Sequence, residues 1–289
     1  MDRTIYLRIA YDGTEFHGWQ TQPGLRTVQG VLEDAARRVV RHPVDLIGSG
    51  RTDAGVHAVG QVASLVTSSA LPERKIRYAM GARLPNDLAI VEVHEVDPRF
   101  HATRSATAKQ YRYRIHNVPH RPVELLTQRY VYHYWRGLDV RLMRDAARHV
   151  IGTMDFSALA SSSTRRQTMV RTILRCDVER MGSEVRINVE GTGFLYNQVR
   201  NLVGTLIEIG RGRWEPARMI DILASRDRRN AGPTVPAHGL CLQWVRYPPD
   251  LLRPPDADTA AVQSSEPRRS LMTDNSKLIT ENRRLKTDH

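Results

Sequence analysis

The chain has 289 residues, 40% of them apolar and 26% charged, a globular composition with length enough for one large core or two smaller ones. No apolar run approaches the ~18 residues of a membrane-spanning helix, and Cys176 and Cys241 are too few for a disulfide framework or a four-ligand zinc site. The formal charge is +12, and beyond residue 250 seven Lys/Arg face six Asp/Glu, so eleven of the twelve charges belong to residues 1–250, an excess that suits a polyanion, nucleic acid first.

The opening MDRTIYLRIAYDG enters a strand pattern at once, which predicts no signal peptide and a cytoplasmic protein. Residues 4–11 alternate, with Ile5, Leu7, Ile9 and Tyr11 on one face of a half-buried strand. Residues 27–41 place Val28, Val31, Leu32, Ala35, Ala36, Val39 and Val40 at helical spacing behind Thr27, a candidate N-cap. A short strand near 44–47 and another at 61–67 flank the stretch GSGRTDAGVH (48–57). Pro72 opens a helix to about residue 82, and 88–96 is again a strand. Strand, helix, strand, strand, helix, strand is the order of a split βαβ, ferredoxin-like unit with an antiparallel sheet.

The second half repeats this order loosely. Strands fit 109–117 and 128–135, and Asp139 can cap a helix ending near Gly152. A hairpin spans 170–180 and 184–191 and turns at MGSE. Helices at 196–209 and 215–224 lead to a last strand, 239–247. The pattern predicts an α+β fold of two such halves, 1–105 and 106–247, with their sheets joined and the helices on one side. Residues 248–289 contain no aromatic and alternate in charge, with four prolines in the first eight positions; this predicts a disordered tail with a short helix near 276–286.

Three glycines, an arginine, an aspartate and a histidine within ten residues make GSGRTDAGVH a tight loop that presents a side chain. It lacks the GK[ST] ending of a phosphate-cradling loop and does not open a helix as GxGxxG would, so it predicts no nucleotide cofactor. The histidines show no metal-ligand spacing, and no GxSxG or nucleophilic cysteine context is present, which predicts neither a metal nor a serine or cysteine nucleophile. Asp53 remains. A lone DAG reads as an Asx turn, but Arg51 can orient the carboxylate and the flanking strands can hold it rigidly against a cleft.

RTDAGVHAVGQV (51–62) resembles the catalytic signature of the TruA family of tRNA pseudouridine synthases. Four further segments resemble that family in the same order: YDGTEFHGWQTQP (11–23), FHATRSATAKQYRYRI (100–115), GTGFLYNQVRNLVGTL (191–206) and PAHGLCLQWVRY (236–247). The likeness covers residues 1–247 and departs at Met154, Gln198 and Cys241, none of which is the motif aspartate, tyrosine or arginine.

The resemblance implies one joined sheet of the pseudouridine synthase type and the isomerisation of uridine to pseudouridine in RNA, a reaction that consumes no cofactor and no metal. It implies Asp53 as the catalytic carboxylate, acting as nucleophile or as base toward the ribose. Arg51 and Arg200 become cations that keep Asp53 ionised and aimed; without the resemblance, Arg51 reads equally as a phosphate contact and Arg200 as a solvated arginine. Tyr111 becomes the ring that stacks on the extracted uracil, its hydroxyl near the proton that must leave, whereas Tyr113 reads as core. The resemblance also implies a homodimer that acts on the anticodon arm of tRNA, at tRNA positions 38, 39 and 40. Arg26, Arg37, Arg38, Arg41, Arg104, Lys109, Arg165, Arg166 and Arg171 are candidates for RNA phosphates, each of which reads individually as a solvated charge. Two alternatives stand beside this reading: a non-catalytic RNA-binding module, which would have no need of Asp53, and a pseudouridine synthase of another RNA.

Overall fold

The computed structural model describes residues 2–120, 128–161 and 167–253. The predicted tail beyond 253, its short helix near 276–286, and Arg165 and Arg166 therefore lie outside the described residues. In the first half, β1 (Arg3–Tyr11) is followed by α1 (Val28–Val40), β2 (Leu46–Gly48), β3 (His57–Thr67), α2 (Glu73–Gly81) and β4 (Leu88–Val96). Thr27 does cap α1, its hydroxyl accepting from the Gly30 N–H. The strands pair antiparallel in the order β4-β1-β3, with β2 on the other edge of β3.

In the second half, β5 (Ala108–His116), β6 (Tyr132–His133), α3 (Val140–Arg148), β7 (Gly152–Asp155), β8 (Val170–Met181), β9 (Glu184–Gly191), α4 (Gln198–Gly210), α5 (Arg218–Ser225) and β10 (Leu240–Arg246) follow. Their order is β10-β5-β9-β8-β7. With β8 and its edge partner β7 taken together, this repeats the ferredoxin-like order of the first half, last strand beside first. The halves join where β10 lies parallel to β3, through Cys241–His57 and Leu242–Ala58, giving one α+β sheet.

One face of that sheet carries the main core. Ile5, Leu7 and Ile9 of β1, Tyr113 and Ile115 of β5, and Val185, Ile187 and Val189 of β9 pack with Leu32 and Ala36 of α1 and Leu202, Val203 and Leu206 of α4. On the other face, Arg112 bonds Asn188 and Arg114 pairs with Glu184. Near β1, Tyr6, Val62, Phe100 and Tyr247 form a smaller cluster there, joined by Leu251 of a 3-10 turn at Pro249–Leu252. No helix among the described residues is long and apolar enough to cross a membrane.

Three elements differ from the sequence pattern. β3 starts at His57 rather than 61, because it is a central strand buried on both faces and so lacks alternation. Of 128–135 only Tyr132–His133 is strand. β7, four residues at the sheet edge, is too short to give a periodic signal.

Candidate active site

The loop between β2 and β3 emerges at the seam of the two halves. β2 pairs with residues 63–65 of β3 and β10 with 57–58 along the same edge, so residues 49–56 cross between them. Buried hydrogen bonds hold the loop from below. Ser49 Oγ donates to Gln61 Oε1 at 2.6 Å, Gln61 Nε2 donates to the Gly50 carbonyl at 3.0 Å, and Thr52 Oγ1 meets the Tyr11 hydroxyl at 2.8 Å. At the exit, His57 Nδ1 accepts from the Gly13 N–H and Nε2 donates to the Arg129 carbonyl, each at 3.0 Å. Burial depresses the His57 pKa, which favours this neutral, doubly bonded ring.

Within the loop, the Val56 N–H donates to the Asp53 carbonyl and Gly55 takes a left-handed φ of +77°. The backbone thus closes the turn itself, and the Asp53 side chain, released from an Asx turn, accepts from Arg200 Nη1 at 3.2 Å. Arg200 stands in the first turn of α4. Its Nε donates to the Val235 carbonyl at 2.8 Å and its Nη1 to Asn197 Oδ1 at 2.9 Å, so three acceptors fix the guanidinium. Asn197 itself holds a left-handed φ of 60° at the helix start.

Tyr111 lies one strand beyond β10, opposite Leu242, which in turn faces Ala58. Its ring is buried and meets Phe194 edge-to-face, centroids 5.4 Å apart. Its hydroxyl has no hydrogen-bond partner among the described residues. Burial pushes the phenol pKa up, and the negative charge of Asp53 pushes it further, so the hydroxyl is protonated at neutral pH. Asp53 is also raised: burial outweighs the opposing pull of Arg200.

These groups line one cleft of about 1430 Å³ together with Arg51, Lys109, Arg171 and Phe194. That volume exceeds the roughly 300–1,000 Å³ of ordinary small-molecule pockets.

The cleft brings Asp53, Tyr111 and Arg200 together, whereas Arg51 does not meet the Asp53 carboxylate. Segment 19–20 runs beside the loop, through Trp19 N–H to the Thr52 carbonyl, and Arg51 Nε turns to Gln20 Oε1 at 3.1 Å instead of to Asp53. Arg26 is committed elsewhere, in a bidentate pair with Asp87 at 2.7 and 2.8 Å and over the Phe16 ring. Arg37 and Arg38 share Asp34, and Arg41 ends α1 in a left-handed conformation. Arg104 is exposed beside Thr103, which lines the cleft. Arg171 Nη1 donates to the Val170 carbonyl at 2.6 Å and to the Thr168 carbonyl at 3.2 Å. Sequence reasoning missed Asn197, although its place three residues before Arg200 at a helix start was a usable signal. It also missed Phe194 and the buried Ser49–Gln61 and Tyr11–Thr52 bonds.

The sequence profile of a family described as tRNA pseudouridine synthase matches residues 8–103 and 146–248. A tRNA pseudouridine synthase A of Acetivibrio thermocellus is 46% identical over 245 residues, covering 85% of this chain and all of that protein. The enzyme of the same name from Brevibacillus brevis is 45% identical over 239 residues, covering 83% of this chain and 97% of that one. A tRNA pseudouridine synthase A 2 of Clostridium perfringens is 41% identical, covering 85% of this chain and 100% of that one.

Proposed function

The chain belongs to the tRNA pseudouridine synthase family, and from that membership we propose that it isomerises uridine to pseudouridine in the anticodon arm of tRNA, at tRNA positions 38, 39 and 40. It works as a cytoplasmic homodimer, a reading that rests on the family resemblance. The observation that carries the chemistry is the Asp53 carboxylate in the cleft, 3.2 Å from Arg200 and within the electrostatic reach of Tyr111.

A target uridine leaves its stack, at a cost of a few kcal/mol that phosphate contacts offset. Asp53 breaks the C1′–N1 bond, as nucleophile or as base toward the ribose. Arg200 keeps the carboxylate ionised against the effect of burial and sets its direction. The uracil then turns in place and C5 bonds to C1′. To restore the aromatic ring, C5 loses its proton and N1 gains one. Because the Tyr111 phenol is protonated, it accepts the C5 proton only while passing its own to the freed Asp53 carboxylate, and N1 is protonated from that carboxyl or from water, which returns the enzyme to its starting state. Stacking on the Tyr111 ring holds the base through the rotation.

The direct experiment incubates the full-length protein with tRNA carrying tritium at C5 of uridine. Tritium release, with pseudouridine mapped to positions 38, 39 or 40, is the expected result. No release, or modification only elsewhere in the tRNA, contradicts the reading.

A further inference from the structure

The ammonium group of Lys109 stands in the cleft without a counter-charge among the described residues. Its Nζ donates to the neutral carbonyl of Ser49, on the loop that carries Asp53. Burial alone brings its pKa down to about 8, with no neighbouring carboxylate offsetting the loss of water. Of the other cations that line the cleft, Arg200 has Asp53, while Arg51 is exposed to water and donates to the neutral Gln20 amide; Lys109 is more deeply set than Arg51. A cation taken out of water with no anion beside it is unfavourable in the empty protein and becomes favourable when an anion arrives. The packing leaves room for this group, since a Cβ on Gly50 would come to 3.0 Å from Lys109 Nζ.

The position is as informative as the charge. Lys109 and Tyr111 are two residues apart on β5 and both line the cleft, so their backbones are roughly 7 Å apart along the strand. If the Tyr111 ring holds the base, Lys109 lies where the same nucleotide continues into its backbone. A phosphodiester is the one anion that every nucleotide brings to that place.

We propose that Lys109 is the anion site for the 5′-phosphate of the nucleotide drawn into the cleft. It is distinct from the surface cations that hold the body of the RNA. The Ser49 contact ties this phosphate to the Asp53 loop, so gripping the backbone and presenting the carboxylate are one structural event. The proposal rests on reading the cleft as an RNA active site.

The test uses the full-length chain carrying Asp53→Asn, which allows binding to be read without turnover, with Lys109 retained or changed by Lys109→Met or Lys109→Arg. Each protein is titrated with an anticodon stem-loop RNA whose target uridine carries either its natural 5′-phosphate or a neutral methylphosphonate. The neutral linkage should weaken binding at least about tenfold when Lys109 is present, the effect of losing one charge-assisted contact, and nearly as much for K109R. K109M should bind the natural RNA about as weakly and be indifferent to the linkage. If the methylphosphonate weakens K109M as much as its parent, or leaves the parent unaffected, Lys109 does not bind this phosphate. A separate failure, in which the unmutated protein releases no tritium from the same stem-loop, overturns the RNA-isomerase reading instead.

Discussion

The guanidinium of Arg200 meets the carboxylate of Asp53 at 3.2 Å across 147 residues of sequence, bridging the two halves of the sheet at their seam. Burial raises the Asp53 pKa and Arg200 lowers it. Removing Arg200 therefore leaves burial unopposed, and Asp53 protonates at higher pH. Arg200→Gln should reduce turnover by about 10²-fold, the scale of losing one fixed partner of a reacting charge. It should also move the acid limb of the kcat/KM profile toward higher pH. A loss of activity with the acid limb unmoved would mean that Arg200 does not act through Asp53.

Asn197 holds Arg200 from a left-handed backbone. Asn197→Gly keeps that conformation accessible but deletes the acceptor, whereas Asn197→Ala deletes the acceptor and adds strain of about 1 kcal/mol. Thermal unfolding should thus separate the two variants by about 2 °C, with the glycine variant the more stable. Both should lose turnover by a similar factor. Equal stability would remove the strain argument, and full activity of either would remove Asn197 from the positioning of Arg200.

Tyr111 has two separable jobs. Its ring offers stacking, worth on the order of 1–3 kcal/mol per base, and its hydroxyl offers a route for the C5 proton. Tyr111→Phe should bind tRNA nearly as well as the parent, yet release tritium from C5-labelled uridine far more slowly. Tyr111→Ala should lose both properties. Parent-rate release by the phenylalanine variant would reduce Tyr111 to a platform, and parent-like behaviour of both would make it a core residue only.

How far the sequence foretold this site depends on the range of each interaction. Alternation alone placed Ile5, Leu7, Ile9 and Tyr11 on one face of β1, and that face is buried as read. Thr27 and Asp139 announced their helices because capping is local. The direction of Arg51 was not legible, since its partner Gln20 arrives with a different segment. Nor was the start of β3, where burial on both faces erases the two-residue period. The identity of Asp53 came from the resemblance; its release from an Asx turn became visible only when Arg200 lay beside it.

The charge distribution predicts how RNA is held. Eleven of the twelve net charges lie in residues 1–250, and residues 1–254 form one compact unit. Affinity for tRNA should fall steeply with salt, and a chain ending at Pro254 should show nearly the same slope of log affinity against log salt. A flat salt dependence, or a slope lost with residues 255–289, would place the RNA surface elsewhere.

The most direct measurement concerns Asp53 itself. Asp53→Asn preserves the shape of the side chain and still offers an oxygen to Arg200 Nη1, so folding and tRNA binding should stay close to those of the parent. Tritium release from C5-labelled tRNA, followed over many hours, should fall by several orders of magnitude, as for a group that takes part in bond breaking. Turnover within about tenfold of the parent, with folding intact, would contradict the assignment of Asp53 as the catalytic carboxylate.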